Sequence, residues 1–443
     1  MRAALLLPLL LSPLLAACAG PAEVRNEPWQ RAFYRGDPAR AAAILQRRLD
    51  AGGPDEDVLR LELACALLAD GRPAEAAPLL VAADQRLETL DYRSAPLETL
   101  AAFTFSLTPQ RYRATRWERL LVNAHALLAF LAAGETEEAA VEARRARVLL
   151  LQQDLPEDER YASVLVWALA GVALQQAGSP GEAADAFRAA RELAAGDPAR
   201  LSVLDALQRP AGPGAGAVLL VVSNGKSPVR AQAIVRLWVD DGLQRVQYPA
   251  LVPRAGGFAR MQLWLDGDEA PPPVTLLDVA GQSARRHADE LPRLLASALL
   301  AATPRALAAG ALRDAARDDD RPDHSTRNIL ADLLGFLGGE LLAEALPADT
   351  RCWTLLPAEF RVQRLSVPAG TSRLVLDLLD GAGEPRRVMW ELTLAEGELA
   401  VVHVVTAPEE GFEPVRPPGE ADLTGTLAAG RALELFELAT AED

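Results

Sequence analysis

The chain has 443 residues, half of them apolar and few aromatic, with 61 acidic against 45 basic side chains for a formal charge of −16. That length supports two or three domains with a large core, and the Ala/Leu bias of its apolar half favours helix. The acidic balance excludes nucleic acid and anionic lipid as main partners, since both need a basic face.

In chain order, Arg2 precedes an apolar run from Leu5 to Leu15 interrupted by Pro8, Ser12 and Pro13. The run is shorter than the ~20 residues a spanning helix needs, so residues 1–17 read as an export signal. Leu15-Ala16-Ala17-Cys18 resembles the lipobox of bacterial lipoproteins, which implies lipidation at Cys18 and a lipidated linker over 18–28. Acyl chains anchor at about 0.8 kcal/mol per buried CH₂. Ala19 and Gly20 follow the cysteine, with no Asp as inner-membrane retention signal, so the expected address is the periplasmic face of an outer membrane. Apolar runs further on are broken by charge or proline before spanning length, which leaves the lipid as the expected anchor. Cys65 in an apolar helix and Cys352 far along the chain are expected to be buried free thiols rather than a disulfide.

Residues 29–208 read as a TPR-like array of amphipathic helices. In the clearest copy Trp167, Gly171, Gly178, Ala183, Phe187 and Ala190 fall at repeat positions 4, 8, 15, 20, 24 and 27. Small residues there let paired helices touch while the aromatic fills the next groove. Gly134 heads a second copy (Ala139, Ala143, Ala146), Gly71 a third (Ala76, Leu80, Ala83) and Gly36 a fourth (Ala41, Leu45). The glycines lie 35, 63 and 44 residues apart, which requires an insertion at Asp91–Thr115 and a longer turn at Asp154–Glu159. The register places Val58, Leu61, Cys65 and Leu68, then Leu121, Ala124, Leu128 and Leu131, then Leu165, Ala168, Val172 and Gln175 along one groove. That groove is apolar and lacks a Lys/Asn carboxylate clamp. It is filled by another part of this chain or by a partner's amphipathic helix.

The Gly/Pro-rich linker 209–217 separates the array from an α+β domain over 218–407 with a mainly antiparallel sheet. Strands are expected at Val218–Val222, Ala231–Val239, Ala259–Leu265 and Val274–Leu277, then at Phe360–Val367, Leu374–Leu379, Arg386–Leu394 and Leu399–Val405. Helices are expected at Leu291–Arg317 and Ser325–Ala345 between the two sets of strands. Residues 408–443 read as a flexible tail with a final helix at Leu427–Leu438.

Candidate chemistry is sparse. Gly225-Lys226-Ser227 lacks the upstream glycine of a phosphate loop, because position 220 is Leu, and reads as a turn. His125, His287, His324 and His403 show no metal-ligand spacing, and Asp323-His324-Ser325 has no nucleophile elbow. No catalytic residue, metal or cofactor is expected. Glu138, Glu142, Arg144, Arg145 and Arg147 read as a solvated helix face with i,i+3 pairing. Arg351-Cys352-Trp353 reads as an anchor between helices and sheet, or as part of an interface, since Arg and Trp dominate binding hot spots.

Two segments together resemble a family of uncharacterised, TPR-containing bacterial lipoproteins. The first is Arg116-Trp117-Glu118-Arg119-Leu120-Leu121-Val122-Asn123, continuing to Gly134 and through Ala140–Ala146. The second is Ala348-Asp349-Thr350-Arg351-Cys352-Trp353, with Leu356-Pro357, Arg364 and Pro368-Ala369-Gly370. The resemblance implies an envelope component linked to cell-wall synthesis machinery and no particular reaction. The expected function is therefore a non-enzymatic scaffold or adaptor. Its partner would be an envelope protein bound through Arg351, Trp353, Arg144 and Arg145. The competing readings are a cell-wall-modifying hydrolase using Asp349, Arg351 and Glu359 in an interdomain cleft, and a lipid or glycan carrier using the apolar groove.

Overall fold

A computed structural model describes residues 27–93, 112, 114, 116–151, 157–239, 242–254, 257–291, 294, 349–379, 385–406 and 432–433. Cys18, residues 1–17, nearly all of the insertion 94–115 and of the helices expected over 295–345, His324, and most of the tail lie outside these. Helices come first: α1 (Pro28–Tyr34), α2 (Pro38–Asp50), α3 (Glu56–Ala69), α4 (Pro73–Arg93), α5 (Arg116–Ala133), α6 (Thr136–Leu150), α7 (Glu157–Gln176), α8 (Pro180–Leu193) and α9 (Pro198–Gln208). Strands follow: β1 (Ala215–Asn224), β2 (Val229–Val239), β3 (Gly242–Val252), β4 (Arg260–Leu265), β5 (Asp268–Ala270) and β6 (Val274–Asp278). After a helix α10 over 279–291 come β7 (Glu359–Pro368), β8 (Gly370–Leu379), β9 (Pro385–Leu394), β10 (Leu399–Thr406) and β11 (Ala432–Leu433). The chain is thus a mixed α+β protein.

The helix boundaries have local causes. Asp37 caps α2 by accepting the Arg40 N–H at 2.9 Å, and Asp197 caps α9 through Ala199 and Arg200 at 3.1 Å each, with proline next in both. Gly36, Gly71, Gly134 and Gly178 close α1, α3, α5 and α7 in one way. Each has φ between 69° and 81°, where a side chain would be strained. The N–H of the next residue reaches back in every case: Asp37 to Ala32, Arg72 to Leu67, Glu135 to Phe130 and Ser179 to Leu174, at 2.9–3.0 Å. That is the Schellman cap, which satisfies carbonyls the helix end would otherwise leave bare. Gly171 has a packing reason instead: a Cβ there would meet the Phe187 ring at 2.8 Å.

The strands form a five-stranded sheet in the order β11-β10-β1-β7-β6, a β2–β3 hairpin and a four-stranded sheet in the order β5-β4-β8-β9. Most pairings are antiparallel, but β1 pairs in parallel with β10, so the first and last long strands lie side by side at the centre. The five-stranded sheet is buried on both faces. Ala217, Leu219, Val221, Phe360, Val362 and Val401 face the helices and share one core with them. Val218, Leu220, Val222, Val367, Val402 and Val404 face the four-stranded sheet in a second core with Leu374, Leu376 and Trp390. Two inward faces explain why β1 and β10 read as continuous apolar runs rather than alternating ones.

Several boundaries differ from expectation. β1 begins at Ala215, inside the Gly/Pro segment, where a Cβ on Gly216 would meet the Ala395 carbonyl at 2.9 Å. Helix α7 begins at Glu157, within the turn expected at Asp154–Glu159. β3 was not anticipated, because Gly242–Val252 carries charge, glutamine and a proline; it forms by pairing residue for residue with β2. Helix α10 was missed too, because strand and helix abut at Val279 with no intervening turn residue. In the tail Ala432–Leu433 form a short parallel strand beside Val401–Val402, where the sequence reads as helix; Ala and Leu are sound helix formers overruled by an open sheet edge.

Candidate functional site

The groove residues of the helices do not line an open channel. Leu61, Cys65, Leu68, Leu121, Ala124, Leu128, Leu165, Ala168 and Val172 are buried in the core shared with the five-stranded sheet. The chain's own sheet fills the groove. Polar side chains key this seam. Glu62 on α3 accepts the Thr354 N–H and the Thr354 hydroxyl on Oε1, both at 2.6 Å, and the Leu355 N–H on Oε2 at 2.9 Å. Tyr34 donates to the Thr354 carbonyl at 2.9 Å, and Arg254 donates to the same carbonyl and to that of Ser227, at 2.5 Å each. Further along, Arg364 on β7 donates to the Leu207 carbonyl and, at 3.4 Å, to Gln175 in the groove.

Burial tunes these groups. Desolvation raises the Glu62 carboxyl to about 7 against the pull of its three donors, and raises the Tyr34 phenol to about 12. Lys226, 6% exposed with its Nζ 4.4 Å from the Tyr34 ring centre, is pushed down to about 8 by burial and by Arg254. A carboxyl near 7 suits general acid–base work, but both Glu62 oxygens are occupied by one loop's backbone and hydroxyl. Its geometry is that of a latch.

A second cluster lies beside it. Ser223 Oγ and His403 Nε2 are 2.9 Å apart, and His125 Nδ1 donates to the Leu121 carbonyl at 2.8 Å. The His125 ring packs against Trp353 at 4.7 Å and Phe360 at 5.3 Å between ring centres. Burial lowers His125 to about 4 and His403 to about 3. Ser223 is 4% exposed, and the adjoining cavity of about 10 Å³ holds at most one water, so a substrate has no access.

A larger cavity, of about 60 Å³, lies on the other side of Trp353. Trp117 and Glu118 reach it from α5, Cys352, Trp353 and Leu356 from the segment before β7, Ser227 from the turn after β1 and Arg230 from β2. Leu251 of β3 and Ser283, Arg286, His287 and Glu290 of α10 complete the wall. The segments around Trp117 and around Trp353, far apart in the sequence, therefore meet here. Glu118 accepts the Tyr112 hydroxyl at 2.6 Å, and His287 Nε2 accepts the Leu251 N–H at 3.3 Å, which places the ring proton on Nδ1. Arg286 stands 3.8 Å from Glu290. Ser227 Oγ is buried with no hydrogen-bond partner.

The residues singled out from sequence are dispersed. Trp353 is 2% exposed and packs at the seam rather than on the surface. Arg351 donates to Asp349 at 2.7 and 2.8 Å and reaches Asp55 before α3 at 3.4 Å, tying the same loop to the helices. Glu359 bonds Asn224 at 2.7 Å, Thr275 at 2.6 Å and Arg361 at 2.7 Å, whereas Arg351 bonds Asp349 and Asp55. Arg144 is exposed and paired with Glu182 at 2.9–3.0 Å. Glu142 is not solvated as expected: it is buried, accepts Asn123 at 2.9 Å and pairs with Arg145, which also binds the buried Asp84 at 2.9 Å. The helix face turned inward because α4, α5 and α6 pack together and their charges satisfy one another. Cys65 and Cys352 are free thiols, both raised by burial, Cys352 to about 11. Among the described residues no three His, Cys, Asp or Glu side chains could hold a metal ion, and no helix is long and apolar enough to cross a membrane.

Glu62, Arg254, Arg230 and the α10 residues were missed from sequence. For Glu62 a signal existed: it is a lone acid between Leu61 and Leu63 on a helix otherwise apolar along that stretch. The rest become neighbours only through the fold. Comparisons with protein-family models, with curated proteins and with solved structures find no match to this chain.

Proposed function

We propose that this chain is a non-enzymatic adaptor of the cell envelope, lipid-anchored through Cys18 on the periplasmic face of an outer membrane, in which a TPR-like array and an α+β domain act as one body. The observation that carries the reading is the outer face of α6. Val141, Val148 and Leu151 are 57%, 67% and 59% exposed, and their spacing sets them along one side of the helix with Arg144 beside them. With the inner groove filled by the chain's own sheet, that face is the apolar surface the described residues offer a partner. The chemistry fits an envelope protein presenting apolar side chains flanked by carboxylates, since burying exposed apolar surface is favourable and Arg is a frequent interface anchor. The interior supports the non-enzymatic half of the reading, because Glu62, Ser223 and His403 are sealed and bonded to their neighbours.

The test uses the full lipidated protein in native membranes, with a photo-crosslinker in place of Val148. A stoichiometric envelope protein crosslinked by the parent and lost on Val141→Asp or Arg144→Glu supports the adaptor. Equal crosslinking by those variants removes α6 as the docking face. Cys18→Ala is expected to release the protein from membranes and to abolish the N-terminal acyl mass on the mature peptide.

A further inference from the structure

We infer that the cavity between α5, α10 and the β2–β3 hairpin binds a small zwitterion, an α-amino acid about the size of glycine or alanine. This goes beyond the adaptor reading and does not depend on it. Size sets the first limit. A cavity needs about 10–15 Å³ per water-sized occupant, so 60 Å³ accommodates roughly four to six non-hydrogen atoms. That range covers glycine and alanine.

Charge sets the second limit. Arg230 and Arg286 line the cavity together with Glu118 and Glu290, so its ionised groups balance. Arg286 pairs with Glu290 at 3.8 Å and Glu118 holds the Tyr112 hydroxyl, so the wall is neutral as it stands; a ligand of net charge would unbalance it, and unbalanced charge in a partly buried site is costly. A zwitterion engages both sets: its carboxylate matches the planar guanidinium fork, and its ammonium is received by carboxylate oxygens. Ser227 supplies the third element. Its hydroxyl is buried without a partner, a cost of folding that an oxygen or ammonium group in the cavity would remove. Neutral His287, held as the Nδ1–H tautomer by the Leu251 N–H, adds a donor that carries no charge. Trp117 and Trp353 form its apolar side.

Titration calorimetry and thermal melts on the full chain test this with glycine, alanine, acetate and methylammonium as probes. Glycine or alanine is expected to bind with a dissociation constant between about micromolar, the ceiling for so few atoms, and millimolar. Acetate and methylammonium, each offering half the charge pattern, should bind at least about tenfold more weakly. Arg286→Gln and Glu290→Gln lie on the outer helix α10 and should each weaken the amino acid by about tenfold while leaving the melting curve of the free protein in place. Ser227→Ala should weaken it too; should that variant fail to fold, the two α10 variants decide alone. No heat and no melting shift with either amino acid at tens of millimolar would mean a water-filled cavity and overturn the proposal. So would acetate binding as tightly as alanine, or α10 variants that bind as well as the parent.

Discussion

The two faces of the five-stranded sheet are packed by different means. Toward the four-stranded sheet the core is apolar side chain against apolar side chain, with Leu374, Leu376, Trp390 and Leu392 meeting Val218, Leu220 and Val402. Polar contact is sparse: Asn224 holds Phe258 and Thr406 at one end, and Gln363 donates to the Pro271 and Pro272 carbonyls at 3.2 Å. Toward the helices the apolar contact is wider but studded with polar groups: Glu62 on Thr354 and Leu355 and Arg364 on Leu207 across the seam, Ser223 on His403 within the sheet, and Arg351 on the partly exposed Asp55 at the edge. Sheet-on-sheet packing fixes its own register through pleat and hydrogen-bonded neighbours. Smooth helices rich in Ala and Leu on a smooth Val-rich face have no such index, and directional bonds supply one. The comparison teaches that one interface is specified by shape and alternation, the other by buried polarity.

That contrast can be broken on either side. The largest effect is expected from Trp390→Ala in the all-apolar core, a loss of about 3–5 kcal/mol from transfer and cavity together. The guanidinium-unfolding midpoint should fall by the same amount at pH 5 and pH 8, since nothing titratable is involved.

Acid should strike the helix-facing side. His125 at about 4 and His403 at about 3 stay neutral in the fold and take up protons near 6.5 when unfolded. Their contribution is present above 6.5 and is lost as pH falls toward the folded values. At pH 5 each histidine is expected to cost about 2 kcal/mol. His403→Gln keeps a partner for Ser223 and should make the acid loss shallower.

Glu62 works in the opposite direction. Its folded value, raised to about 7, means its contribution is present below about 4.5 and is lost as pH rises through 7. Glu62→Gln therefore removes a term that offsets the histidines and should steepen the loss of stability below pH 6.5. The same change leaves one Thr354 or Leu355 donor facing an amide nitrogen, at about 1–3 kcal/mol. Native-state proteolysis should then cut the loop around Thr354 sooner than the parent, with the four-stranded sheet unaffected. An unchanged cleavage rate would show that the latch does not index the seam.

The smallest effect is expected from Arg144→Ala. Its pair with Glu182 lies in water, where screening leaves little net gain, so the midpoint should not move measurably. Loss of crosslinking without loss of stability would sharpen the assignment of α6 to a partner.

Much of the architecture is legible in residue order. Helix ends follow from Gly36, Gly71, Gly134 and Gly178, whose positive φ a tight cap requires, and from Asp37 and Asp197 ahead of prolines. Eight strands follow from short apolar runs, because burial and β-propensity act on neighbouring residues. Where local signals conflict with pairing, as at Gly242–Val252 and Ala432–Leu433, the partner strand decides and a reading of the segment alone fails.

The candidate site is the least legible part. Glu118, Ser227, Arg230, Arg286 and Cys352 come from separate stretches of the chain and form a wall only when α5, the hairpin and α10 close on one another. The solvated reading of Glu142 fails for the same reason, since a helix's charged face reveals its neighbours only after packing. Sequence by itself determined the helix caps, eight of the strands and the apolar face of the helices, which rest on interactions within about one turn or along one strand. Tertiary structure alone decided that the sheet fills the groove, that Glu62 latches it and that five segments enclose a charged cavity. Those outcomes depend on contacts between residues hundreds of positions apart, for which local propensity carries no information.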